Sequence, residues 1–103
     1  MLFAFSVAPT TSDSDDGSVS RAVAEAVRVV RESGLPHETT AMFTTIEAEW
    51  DEAMPVIKRA CEAVARFGPR VSLVLKADLR PGFEDQLSAK VHRVEEHLTS
   101  DEG

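Results

Sequence analysis

The sequence predicts an α+β domain: one antiparallel four-stranded sheet with two helices on one face, followed by a C-terminal helix. Three observations predict it. Residues 2–9 alternate bulky and small side chains at the two-residue period of a strand. Residues 19–32 and 52–67 place apolar residues three and four apart, as helices with one buried face do. The segments follow one another as β-α-β-β-α-β, the connectivity of a split βαβ sandwich.

In the first strand Phe3, Phe5 and Val7 share one face, and Ala4, Ser6 and Ala8 the other. A bulky face and a small one suit a strand covered on both sides, closely on the second. Residues 10–17 form a polar loop. Its aspartates lack the twelve-residue spacing and closing glutamate of a calcium loop, and solvation accounts for them. Ser18 is the expected N-cap of the first helix, with Val19, Ala22, Val23, Ala26, Val27 and Val30 as its apolar stripe. Gly34 is expected just past its end, and Pro36 enforces the break.

Residues 36–42 read as a short, polar edge strand, and 42–49 as a third strand carrying β-branched Thr44, Thr45 and Ile46. Asp51 is the expected N-cap of the second helix, whose buried stripe is Met54, Ile57, Ala60, Cys61 and Val64. Pro55 falls in or next to the first turn, and Gly68-Pro69 ends the helix. In the fourth strand, 70–79, Val71, Leu73, Leu75, Ala77 and Leu79 oppose Ser72, Val74, Lys76 and Asp78. After the Arg80-Pro81-Gly82 turn, the last helix carries a narrow stripe, Leu87, Val91, Val94 and Leu98, for packing on this subunit or on a neighbour. Residues 100–103 are expected to fray. The whole is a ferredoxin-like βαββαβ sandwich, a single domain over residues 1–103.

The net charge of −7 argues against nucleic acid and anionic membranes as partners, since both reward Lys and Arg surfaces. The lone cysteine, Cys61, permits no intrachain disulfide and suits a cytoplasmic location. The apolar stretch 1–8 lacks a basic flank and is short for a signal peptide, and no segment is long enough to cross a bilayer.

Strand parity assigns one sheet face to Ala4, Ser6, Ala8, Phe43, Thr45, Glu47, Ser72, Val74, Lys76 and Asp78. That face is too polar for a core and too apolar for free solvent. It suits a two-fold pairing of sheet faces between copies, with Glu47 and Lys76 as an ion pair across strands or across subunits, or a small-walled ligand pocket. Glu47 is the focal residue, because a carboxylate between Ile46 and Ala48 in a strand is costly without a partner. No catalytic set stands out. His37, His92 and His97 lack partners at useful spacing, Cys61 lies on a buried stripe, and simple capping explains Gly17-Ser18-Val19-Ser20 better than anion binding. Neither a metal nor a resident cofactor is expected.

Four stretches, Gly17-Ser18-Val19-Ser20, Glu32-Ser33-Gly34-Leu35, Met42 through Asp51, and Lys76-Ala77-Asp78, follow Phe5-Ser6-Val7-Ala8-Pro9 in an order and spacing that resemble the thiamine-binding protein family. The resemblance covers nearly the whole chain. It implies a ferredoxin-like fold, homodimers or homotetramers, and non-catalytic binding of thiamine or its hydroxymethylpyrimidine part in salvage, transport or sensing. On that reading Glu47 accepts from the pyrimidine amino group or, protonated, donates to a ring nitrogen. Thr44, Thr45 and Ser6 complete the edge contacts, and Phe43 or Met42 covers the ring face. Asp78 neighbours the cationic thiazolium, and Lys76 partners Glu47. Ala48 and Phe43 depart from the family pattern, which often has glycine and a small residue there. Two rivals are an oligomeric structural or regulatory module without a small ligand, and an enzyme acting on a pyrimidine precursor.

Overall fold

The computed structural model describes residues 1–10, 17–82 and 85–102. Most of the expected polar loop, residues 11–16, lies outside them. The chain forms β1 (Leu2–Pro9), α1 (Gly17–Ser33), β2 (His37–Thr39), β3 (Thr44–Glu47), α2 (Trp50–Val64) with a terminal 3₁₀ turn (Ala65–Phe67), β4 (Val71–Asp78) and α3 (Gln86–Glu102). The strands lie in the order β2-β3-β1-β4, every neighbouring pair antiparallel. This is the ferredoxin-like sandwich that the element order predicts.

The core lies between the sheet and α1 and α2. Phe3, Phe5, Val7 and Ile46 meet Ala22, Ala26 and Val30 from α1, and Ala53, Val56, Ile57, Ala60 and Val64 from α2. Burying each large member contributes about 1.5–3 kcal/mol. The alanines matter by their size, since they let both helices approach the sheet closely. The α1 stripe is narrower than its periodicity suggests: Val19 and Val23 are 42% and 41% exposed. Gly34 ends α1 at φ +75°, a conformation that favours glycine. Ser18 lies inside the helix, which begins at Gly17.

Asp51 is not the N-cap of α2. Glu49 holds that position, in a reciprocal capping box with Glu52, whose Oε1 accepts from the Glu49 N–H at 3.3 Å. Starting the helix at Trp50 seats the indole edge-on against Phe3, with ring centroids 5.8 Å apart. The buried face takes in Ala53, Val56 and Ala63, while Met54 and Cys61 pack at its margin. Pro55 sits within the helix, beyond its first turn, and removes the N–H that would pair with the carbonyl of exposed Asp51. Burial first and Glu62 second push the Cys61 thiol up, away from reactive thiolate character.

The second and third strands are shorter than expected. Thr40 organises the turn between them: its N–H donates to the Phe43 carbonyl at 2.9 Å, and its Oγ1 accepts from the Met42 and Phe43 N–H groups. At the far edge, β4 is poorly covered, with Leu73 41% exposed. The C-terminal helix runs to Glu102, through the tail expected to fray. Its stripe faces outward, with Val91, Val94 and Leu98 all more than half exposed. The radius of gyration is 15.9 Å, against about 13 Å for a compact chain of this length, as a projecting helix requires.

Candidate functional site

The register arranges the open sheet face in rows. Glu47, Leu2 and Asp78 form one row; Glu38, Thr45, Ala4 and Lys76 form the next; Ser6 and Val74 follow. The parity read from the sequence therefore holds across strands. It also separates Thr44 from Thr45. Thr44 points to the helix side, buried, with its Oγ1 3.3 Å from that of Thr39.

Within the chain Glu47 and Lys76 are not an ion pair. They lie in different rows with β1 between their strands, a Cα separation of about 12 Å from ordinary strand spacing and rise. The carboxylate of Glu47 instead takes the start of α3: Oε2 accepts from the Gln86 N–H at 2.8 Å and Oε1 from the Leu87 N–H at 3.4 Å. A carboxylate at a helix N-terminus satisfies unpaired donors and meets the positive end of the helix dipole. Asp78, in the same row, pairs with Lys90 of α3, and the Lys90 ammonium holds its carboxyl below the usual carboxylate range. Both acidic candidates thus clamp α3 to one end of the sheet. Lys76 is exposed beside Ala4.

The concavity that gathers candidate residues lies at the other end. Strand β1 pairs with β3 only from Leu2 to Phe5, so Ser6 through Pro9 have β4 on one side and no β3 on the other. The gap is a cavity of about 150 Å³ between that bare edge, α1 and the 40–43 turn. Ser6, Met42, Phe43 and Thr44 line it, with Ala8, Val23, Ala26, Val27, Thr39 and Thr40 among their neighbours. Met42 is 73% exposed at the mouth and Phe43 36%. Thr45, Glu47, Lys76 and Asp78 do not line it. Ala48 is also elsewhere, its N–H donating to the Met1 carbonyl, so the alanine does not narrow this space.

The cavity walls are apolar, with hydroxyls at intervals. The Ser6 hydroxyl, on the sheet face away from α1, has no hydrogen-bond partner among the described residues and can both donate and accept. The Ser6–Ala8 backbone offers further donors and acceptors where β3 is missing. These residues can hold a flat ring by its edge while Phe43 and Met42 flank it. Among the described residues the lining includes no acid, base or thiol. Among the described residues no three His, Cys, Asp or Glu side chains gather as a metal site, and no described helix is long and apolar enough to cross a membrane.

Sequence reasoning missed the α1 wall and Thr39, Thr40 and Ala8. Two signals could have found them. Val19, Val23 and Val27 make a second apolar row beside the buried alanines, and β3 is too short to pair the whole of β1.

The chain is 52% identical over 99 residues to a UPF0045 protein of Mycobacterium bovis, covering 95% of this chain and 94% of that one. The solved structure of a hypothetical protein from Methanocaldococcus jannaschii matches with a TM-score of 0.80 and 29% identity, over 92% of this chain and 95% of the other. A Thermotoga maritima structure, of a protein provisionally assigned to thiamine biosynthesis or salvage, shares the fold at a TM-score of 0.73 and 22% identity, covering 88% and 96% of the two chains. Over residues 3–95 the sequence matches the thiamine-binding protein family, and the chain belongs to it.

Proposed function

We propose that the protein binds thiamine or its hydroxymethylpyrimidine part without catalysis, in salvage, transport or sensing of the vitamin. The carrying observation is the cavity at the bare edge of β1. Its apolar walls suit a planar ring, the Ser6–Ala8 backbone at the bare strand edge and the adjoining Ser6 hydroxyl suit an aminopyrimidine edge, and Phe43 and Met42 are placed to cover it. Family membership supports the choice of ring. Of the candidate residues, Ser6, Met42, Phe43 and Thr44 belong to this site. Thr45, Glu47, Lys76 and Asp78 belong to the sheet face and its clamp on α3.

Calorimetric titration with thiamine and with hydroxymethylpyrimidine tests this. Saturable binding near one ligand per chain is expected, weakened about ten-fold by Ser6→Val through loss of a hydrogen bond. Undiminished binding by Ser6→Val moves the site elsewhere, and no binding at all removes the function.

A second reading, assembly through the open sheet face into dimers or tetramers, is favoured by one observation. Val74 on that face and Val91, Val94 and Leu98 on α3 are all more than half exposed. Sedimentation of the purified protein, with Val94→Asp as the weakened variant, tests it.

A further inference from the structure

We infer that the cavity selects unphosphorylated ligands and rejects thiamine phosphates, an inference that rests on the thiamine-binding reading above. Three features carry it.

The first is size. At about 150 Å³, the cavity falls well short of the ~300–1,000 Å³ typical of pockets for drug-sized ligands. It houses one ring, and the rest of a larger ligand must leave through the mouth. The second is charge. Among the described residues no lining side chain is charged, and those at the turn, Thr40, Ala41, Met42 and Phe43, offer no cation to a phosphate passing between them. Phosphate recognition is strengthened by Lys, Arg or a metal placed against its oxygens. The third is the field beyond the mouth. The chain carries −7, so a diphosphate held near its surface is repelled rather than steered in. The ligand pool served by such a site lies upstream of the phosphoryl-transfer step that makes the phosphorylated vitamin.

The test compares hydroxymethylpyrimidine, thiamine and thiamine diphosphate by calorimetry at low and high salt, with the parent protein and Met42→Lys. Met42 is largely solvent-exposed, so the substitution spares the core. The expected result is that thiamine diphosphate binds at least ten-fold more weakly than thiamine, that salt narrows the gap by screening repulsion, and that Met42→Lys narrows it further. Equal or tighter binding of the diphosphate overturns the selectivity while leaving the thiamine-binding reading intact. A gap that neither salt nor Met42→Lys changes overturns its electrostatic basis. Failure of all three compounds to bind removes the thiamine-binding reading itself.

Discussion

The helices α2 and α3 have similar lengths, 15 and 17 residues, and both carry apolar stripes, yet they are attached to the fold by different physics. Six residues of α2 are buried, five of them in the core against the sheet and α1. Of the α3 stripe only Leu87 is partly covered, and the helix is held through its first turns, by Glu47 at its N-terminus and Asp78 on Lys90. Apolar periodicity therefore marks a face that wants cover, without saying where the cover comes from. A helix with a core face resists unfolding with the whole domain. One tied by charges at one end opens locally at lower free energy.

The largest expected effect lies in α2. Ile57→Ala removes a fully buried side chain and is expected to lower stability by about 2–5 kcal/mol, read as a shift in denaturant midpoint. The matched change in α3, Val94→Ala, is expected to stay within about 0.5 kcal/mol in dilute protein. If Val94→Ala costs as much as Ile57→Ala, the two helices are not different in kind, and another copy covers α3.

A smaller effect is expected from Glu47→Ala, which strips two backbone donors of their acceptor and costs about 0.5–2 kcal/mol. Hydrogen exchange at Gln86 and Leu87 should quicken while the amides of α2 keep their protection. Uniform loss of protection would mean that Glu47 supports the whole sheet.

The smallest effect is set by pH. Lys90 lowers the folded-state pKa of Asp78 below its ordinary 3.8. The pair therefore adds to the docking of α3 above that value, and the contribution disappears as pH falls through the lowered pKa. Because Asp78 is exposed, salt should mimic acid. Exchange at the start of α3 should rise with either treatment, and indifference to both would leave Glu47 as the clamp.

The same contrast explains what the sequence disclosed. Phe3, Phe5 and Val7, and the helical spacing of Ala22, Ala26 and Val30, are local patterns that a single packed layer forces, and the fold is legible in them. Parity placed Thr45, Glu47, Lys76 and Asp78 on one face correctly. What parity could not give is the partner. Glu47 bonds to backbone N–H groups of α3, about forty residues away, which carry no side-chain signature. The start of α2 lies two residues before the one Asp51 suggests, because Asp51 and Glu49 are both competent caps and the seat of Trp50 on Phe3 decides between them. Of the residues that the sequence suggests for a ligand, Ser6, Met42, Phe43 and Thr44 line the cavity. Its position depends on where β3 stops, and strand ends are set by the Thr40 turn rather than by propensity.

The pairing of β1 with β4 has a consequence for how the molecule comes into being. All eight residues of β1 pair with residues 62–76 positions further along, from Pro9 with Val71 to Leu2 with Asp78. A contact of that range forms only after the intervening chain is available, and closing so long a loop slows folding. During synthesis β1, the most apolar strand, emerges before β4 and waits for it with that backbone edge unpaired. Its Phe3-Ala4-Phe5-Ser6-Val7 run is therefore the segment most in need of protection on the ribosome. The rate at which residues 71–78 follow governs how long that exposure lasts.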